Sequence, residues 1–410
     1  MKKDILFLCQ FFYPEHNSSA TLPFDTAKYL AHHGYSIGAL CGWPKEYASD
    51  KKIVHTEIVD GVNIRRLKYF QPSRGTKIGR LFNYFSFTAS VLANVSELKK
   101  YRAVIVYSNP PILPMAAVLA NVLYGTKIVF ISYDVYPEIA YASGALNEHS
   151  PAAALMRRIN RSLFKRCAAT VALTDEMRSF LIRNRCGLDA DKVFTLPNWA
   201  HETERGDKGE ARREFGFSER DFVVSYFGNI GVCQDETALI QAMEQLGDKA
   251  NIKFLIIGHG GKIPEVSAAA ERLKNVQVHG FMTGQQFADA VAVSSCGIVS
   301  LGRGLNGMCA PSKYYSYLRG GLPVLAVAEE DSYLAEEIVQ VGIGYVSQAG
   351  DGGGLADNIM KLYENEALRR EMSARAETLY SENYEKNIGL ERYRELAARV
   401  LDEVPQGAAL

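Results

Sequence analysis

Short apolar runs rich in β-branched residues alternate with longer amphipathic segments along almost the whole chain. In the first half the runs fall at residues 4–10, 36–41, 62–67, 103–107, 127–131, 169–173 and 192–196. Segments with helical period, such as 20–33 and 174–185, lie between them. Near-continuous apolar strands separated by helices predict parallel sheets covered on both faces. The pattern breaks at Leu196-Pro197-Asn198-Trp199 and the polar stretch 201–210. It restarts with runs at 222–227, 252–257, 276–279, 297–300, 323–327 and 344–347. Residues 355–404 read as almost wholly helical with an interruption at 381–384, and 350–354 as a glycine-rich turn. The expected organisation is an α/β chain of two Rossmann-like domains, 1–197 and 198–382, with a helix and tail over 383–410 packing back on the first.

Composition narrows the class. With 410 residues, 47% hydrophobic and 22% charged, disordered and fibrous classes are excluded and two cores are expected. Basic and acidic residues balance at 46 each, but their distribution does not. Residues 1–196 carry 25 basic against 15 acidic residues and the remainder 21 against 31, so the N-terminal half is expected to face something anionic. Chance and solvated helix faces give the same imbalance. The seven scattered cysteines show no metal-ligand spacing and fit a reducing cytoplasm. The apolar start reads as a first strand and not a signal peptide, and no run reaches the roughly 18 apolar residues of a spanning helix.

In open α/β sheets ligands bind beyond the carboxyl ends of the strands, so the loops there hold the candidate chemistry. Cys309-Ala310-Pro311-Ser312-Lys313 follows one strand and opens a helical run. Ser312 is an expected N-cap, and Lys313 and Arg303 add charge for a diphosphate at a helix start. An ordinary capped helix has the same residues. Gly228-Asn229-Ile230-Gly231 with Gln234, and Gly258-His259-Gly260-Gly261, are glycine turns after strands, where backbone can approach a phosphate or simply turn tightly. Tyr133-Asp134-Val135-Tyr136-Pro137-Glu138 puts two carboxylates four apart at a strand end, suited to sugar hydroxyls or base work as well as to helix capping. Glu15, His16, Asn17 and Ser18 follow the first strand and either meet ligand or cap the next helix. No zinc spacing, serine–histidine–acid arrangement or Walker loop is present.

Taken in order, five segments resemble the retaining glycosyltransferases of family 4, with the GT-B fold, in the bacterial branch that builds O-antigen, capsule and exopolysaccharide. They are Phe11-Phe12-Tyr13-Pro14-Glu15, Asp134-Val135-Tyr136-Pro137-Glu138, Leu196-Pro197-Asn198-Trp199, Tyr226-Phe227-Gly228-Asn229-Ile230-Gly231 with Gln234, and Pro311-Ser312-Lys313 with Gly321-Leu322-Pro323-Val324. The resemblance implies two Rossmann-like domains with parallel sheets facing across a cleft, and metal-independent, retaining transfer from a nucleotide sugar. On that basis Asp134, Arg303 and Lys313 are expected to be catalytic. Gly228, Asn229, Gly231, Gln234, Gly280, Phe281, Pro311, Ser312 and Ser316 would hold the donor. Glu15, His16, Asn17, Ser18, Tyr136 and Glu138 would meet a glycan or polyprenyl-diphosphate-linked acceptor. No cofactor, metal or nucleic acid is expected.

The chain departs from the family pattern where two glutamates eight apart are common, having Met308 and Ser316 there. Asn229 and Gln234 stand at the usual arginine and lysine, and Tyr133 at a frequent histidine. Three alternatives therefore stay open: a nucleotide-sugar epimerase, a dehydrogenase (disfavoured because no G-x-G-x-x-G follows the first strand), and a non-catalytic partner protein. The basic and aromatic residues of 73–102 (Arg74, Lys77, Arg80, Lys99, Lys100 and Arg102 with Phe82, Tyr84, Phe85 and Phe87) and the basic run 157–166 predict a peripheral protein on the anionic cytoplasmic face of the inner membrane. Phe82, Phe85, Leu81 and Val91 buried in a core would be the simpler reading.

Overall fold

Fourteen strands form in the computed structural model, which describes residues 2–45, 53–72, 77–202 and 204–402. The chain divides into two units. Unit 1 comprises Met1–Asn198, Gly307–Ala310 and Lys386–Leu410; unit 2 comprises Trp199–Asn306 and Pro311–Glu385.

Unit 1 is built on β1 (Lys3–Cys9), β2 (Ile37–Gly42), β3 (Thr56–Val59), β4 (Val62–Leu67), β5 (Tyr101–Tyr107), β6 (Lys127–Ser132), β7 (Cys167–Ala172) and β8 (Val193–Thr195). Their order is β3-β4-β2-β1-β5-β6-β7-β8, parallel throughout except where β3 pairs antiparallel with β4. The central strands are buried along nearly their whole length, which is why they read as continuous apolar runs. Strand β3 escapes that reading because it is a half-exposed edge of alternating pattern. The turn joining it to β4 is Asp60-Gly61, both with positive φ (49° and 81°), the mirror-image turn a tight hairpin needs. The helix Lys386–Val400 belongs to this unit, where Tyr29 donates to Glu391 and Lys386 pairs with Asp25.

Unit 2 holds β9 (Phe222–Asn229), β10 (Ile252–His259), β11 (Val276–His279), β12 (Cys296–Ser300), β13 (Val324–Val327) and β14 (Gly344–Ser347), all parallel in the order β11-β10-β9-β12-β13-β14. Residues 352–354, expected in a turn, instead open the helix Gly352–Glu364, because Asp351 caps it by accepting from the Gly354 N–H.

Ser150, Asp207, Asp235 and Ser332 likewise cap helices by accepting from backbone N–H groups in the first turn. Thr174 Oγ1 accepts from the Met177 N–H at 3.1 Å and starts the helix Asp175–Asn184. Thr174→Ala is expected to lower stability by about 1 kcal/mol, read as a shifted urea midpoint at constant slope.

Candidate active site

In unit 2 the chemistry gathers where β9 and β10 end. Gly228 and Gly258 are register partners, and a Cβ on Gly258 would lie 1.9 Å from the Gly228 carbonyl oxygen. The two strand ends thus approach closer than any side chain permits. Gly228 itself has φ +96°, and the atom nearest its missing Cβ is Lys313 Cε at 3.7 Å. The lysine stem therefore lies over this glycine. Its ammonium donates to the Tyr226 hydroxyl at 2.6 Å and sits 3.9 Å above the ring centroid. Tyr226 donates in turn to the Asn229 carbonyl at 3.2 Å. Burial drives its hydroxyl pKa far above the ordinary value, so it stays a neutral dipole and ring quadrupole under the cation. Sequence reasoning named Lys313 but passed over Tyr226 as a strand residue.

Gln234 Oε1 accepts from the Gly231 N–H at 2.9 Å and from Asn229 Nδ2 at 3.3 Å. The pair that replaces the usual arginine and lysine closes the turn upon itself. Two expectations need correction. Ser312 makes no side-chain cap bond, because its backbone is already helical (φ −61°, ψ −25°) whereas a capping residue is extended. The turn begins a residue earlier, with the Tyr314 N–H donating to the Pro311 carbonyl, and the helix Lys313–Arg319 follows with Ser316 one turn on. Arg303 donates from Nε and Nη2 to the Ala349 carbonyl at 3.1 and 2.7 Å, which ties its side chain to the loop after β14. Beyond β11, Gly280 borders open space and the half-exposed Phe281 ring stands edge-on to His259 at 5.5 Å.

In unit 1 the loop after β6 is held from three sides. The N–H groups of Tyr133 and Asp134 both donate to Ser108 Oγ at 3.1 Å, and that of Val135 to the Met308 carbonyl at 2.8 Å. The Tyr136 carbonyl accepts from Asn160 Nδ2 and Arg185 Nη2 at 2.7 and 3.1 Å. Met308, at the first of the two expected glutamate positions, packs against the core of this unit. Glu138 is a correction: its oxygens take both Arg185 nitrogens at 2.6 and 2.5 Å. Arg185 is 7% exposed, and a guanidinium so buried demands a counter-charge. Glu138 is therefore a structural partner, and nothing in the sequence linked the two residues. That leaves Asp134 as the loop's carboxylate. Its side chain has no hydrogen-bond partner among the described residues, and burial lifts its pKa to about 6.

The loop after β1 differs from expectation at the helix start, since Ser18–His32 begins at Ser18 with Asn17 in the cap position. The Asn17 side chain caps nothing, and its Oδ1 is buried without a donor. The same holds for Gln10 Oε1 just past β1 and Asn109 Oδ1 just past the neighbouring β5. Glu15 is buried and His16 exposed. Three orphaned acceptor oxygens beyond two adjacent strand ends are what ligand hydroxyls would satisfy. Among the described residues no group of His, Cys, Asp and Glu side chains is arranged to hold a metal ion, and no helix is long and apolar enough to cross a membrane.

The family model described as "Glycosyl transferase 4-like domain" matches residues 24–199, and that described as "Glycosyl transferases group 1" matches 221–365. The chain is 25% identical over 338 residues to the probable glycosyltransferase WbjE of Pseudomonas aeruginosa, covering 81% of this chain and 82% of that one. It is 22% identical to the putative colanic acid biosynthesis glycosyl transferase WcaI of Escherichia coli (strain K12), over 66% and 69% of the two chains. The structure of Anabaena HepE in complex with UDP superposes with a TM-score of 0.69 at 16% identity, over 98% of this chain and 100% of that one. With two parallel-sheet α/β units, a group 1 match on the unit carrying Lys313 and a 4-like match on the unit carrying Asp134, the chain belongs to the glycosyltransferases of the GT-B group 1/4 class.

Proposed function

We propose that this glycosyltransferase moves a hexose from a UDP-sugar, with retention and without a metal ion, to a glycan or polyprenyl-diphosphate-linked acceptor in bacterial surface polysaccharide synthesis. The observation that carries the reading is Lys313, an ammonium held over Gly228 at the end of β9 by a buried neutral tyrosine. A cation fixed there offsets the charge that develops on a departing diphosphate, and fixed charges of this kind usually supply the largest share of catalysis. The bond from the anomeric carbon to the diphosphate breaks, its electrons pass to the leaving oxygen, and an acceptor hydroxyl takes the anomeric position on the same face. Gly280 and Phe281 offer an open edge and an exposed ring for the base. On the acceptor side, the buried donorless oxygens of Gln10, Asn17 and Asn109 lie near the strand ends a sugar would approach, and Asp134, whose carboxyl burial lifts to about 6, takes the acceptor's hydroxyl proton in this reading.

WcaI, named for colanic acid biosynthesis, and HepE, seen with UDP, support the polysaccharide and UDP parts of the reading. A thermal-shift panel of nucleotide sugars tests the donor. A UDP-sugar at about 100 times its dissociation constant should stabilise the protein by about 2.7 kcal/mol. A shift with GDP- or ADP-sugars alone would refute the UDP assignment, and an epimerised sugar formed without acceptor would point to an epimerase.

A further inference from the structure

We infer that Arg66 and Arg185 are positioning residues for the acceptor, each a buried clamp on the backbone of one of two Tyr-Pro-Glu loops in unit 1. This deepens the proposed transfer reaction and rests on its reading of those loops as the acceptor side. The tripeptide occurs twice in the chain, as Tyr13-Pro14-Glu15 and Tyr136-Pro137-Glu138. The first follows β1 and the second follows β6, and β5 runs between these strands. Gln10, Asn109 and Asp134 thus stand just past three neighbouring strand ends, with a Tyr-Pro-Glu loop on either side of Asn109.

The two arginines come from unrelated elements, Arg66 from β4 and Arg185 from the end of the helix Asp175–Asn184, yet they bond alike. Arg66 Nη2 donates to the Tyr13 carbonyl at 2.8 Å and pairs with Glu57 Oε1 at 2.5 Å. Its Nη1 takes the Val54 carbonyl at 3.0 Å. Arg185 Nη2 donates to the Tyr136 carbonyl at 3.1 Å and pairs with Glu138, whose other oxygen takes Nη1 at 2.6 Å. In each arginine one nitrogen holds both the tyrosine carbonyl and a glutamate, and Nε is buried with no acceptor among the described residues. The two side chains are 0% and 7% exposed.

A guanidinium so deep is costly to desolvate, and an apolar pair of similar volume would serve stability as well or better. The unmatched Nε adds to that cost. An apolar pair cannot grip a loop carbonyl, and lysine lacks the planar fork that reaches a carboxylate and a carbonyl together. Both clamps also lie beside the groups they would aim. Burial lifts the Cys41 thiol to about 12, with Arg66 opposing that rise and Glu15 and Glu57 adding to it, so the loop carboxylate and its clamp share one neighbourhood. The rings of Tyr13 and Phe12 pack on Phe24 with centroids at 4.7 and 5.5 Å, and Arg66 adds a backbone anchor to these side-chain ones. Arg185 lines one small cavity with Ser108, Asp134, Tyr136 and Asn160. Neither clamp draws on the basic run 73–102, of which Arg74 and the side chain of Lys77 lie outside the described residues.

Hydrogen exchange of the ligand-free full chain tests the clamps apart from the reaction. Arg66→Met with Glu57→Leu, and Arg185→Met with Glu138→Leu, remove each clamp without stranding a buried charge. Peptides over 10–18 should exchange at least about tenfold faster in the first pair, and those over 133–138 in the second, while β1, β5 and β6 stay protected. Arg66→Lys and Arg185→Lys should loosen the same peptides by less. Glu57→Gln keeps the carbonyl bond and should leave 10–18 as protected as in the wild type. In the Arg185 pair, the stability that Asp134→Asn adds at pH 8 over pH 4.5 should fall to about half or less, because a freed loop lets water reach the carboxyl. An ion pair that only supports the fold would leave that gain untouched. Calorimetry with UDP should give both pairs the wild-type affinity, since Lys313 and the glycine turn belong to unit 2. UDP that fails to bind the wild type would count against the proposed reaction and not against the clamps. Circular dichroism confirms folding. Unchanged loop exchange in the folded variants, uniform loosening of the whole chain, or an undiminished Asp134→Asn gain would overturn the inference.

Discussion

Lys313→Ala is expected to lower kcat by about a hundredfold while leaving the fold intact. The size follows from removing one fixed charge from a developing anion, for which losses of about 10²–10³ are usual. The fold should survive because Tyr226 keeps its bonds to the Asn229 carbonyl and Ser300 Oγ when the ammonium goes. Lys313→Arg is a sharper test of geometry: a guanidinium can stack on the Tyr226 ring but is longer and spreads its charge over a plane, so it does not put a compact charge at the ammonium's position and restoration of charge alone should recover only part of the rate. Steady-state kinetics with saturating donor, beside urea unfolding curves, separate the two effects. Unchanged kcat in Lys313→Ala would remove the lysine from the reaction. An equal fall in stability would make its role structural.

The strand framework was readable because parallel strands covered on both faces must be apolar along their length. Thirteen of the fourteen were placed within about two residues by that signal alone. Strand β3 has half its residues exposed, so the same signal fails; Asp60-Gly61 between alternating residues was the sign that would have found it. The site was legible only as loops. Lys313 stood out by its charge at a helix start, but its partner Tyr226 is 87 residues away and looked like any strand aromatic. Glu138 was read as ligand-facing because its partner Arg185 is 47 residues distant. Gln10 and Asn109 were passed over because a sequence does not show whether an amide has found its donors. Local chemistry survives in sequence; satisfaction by distant residues does not.

Asp134 gives the second large effect. Its pKa of about 6, raised from 3.8 by burial, means that the folded state favours the protonated carboxyl more than the unfolded chain does. Ionised Asp134 therefore costs stability. That cost is full above about pH 6 and shrinks as pH falls toward 3.8, below which the carboxyl is protonated in both states. Asp134→Asn removes the charge at every pH, so the variant should be more stable than wild type by about 1–3 kcal/mol at pH 8, with the gain vanishing near pH 4. At the same time transfer should fall by about 10²–10⁴-fold, the contribution of a positioned base, while donor affinity stays nearly unchanged. The acid limb of the wild-type kcat/KM profile, expected near pH 6, should be missing from what activity remains. Paired urea titrations at pH 8 and pH 4.5, with calorimetry of donor binding, read all of this on one variant. Greater stability joined to lost transfer would mark Asp134 as a residue kept for chemistry against its own folding cost. Normal transfer would refute the role, and a large loss of nucleotide affinity would move Asp134 to the donor side.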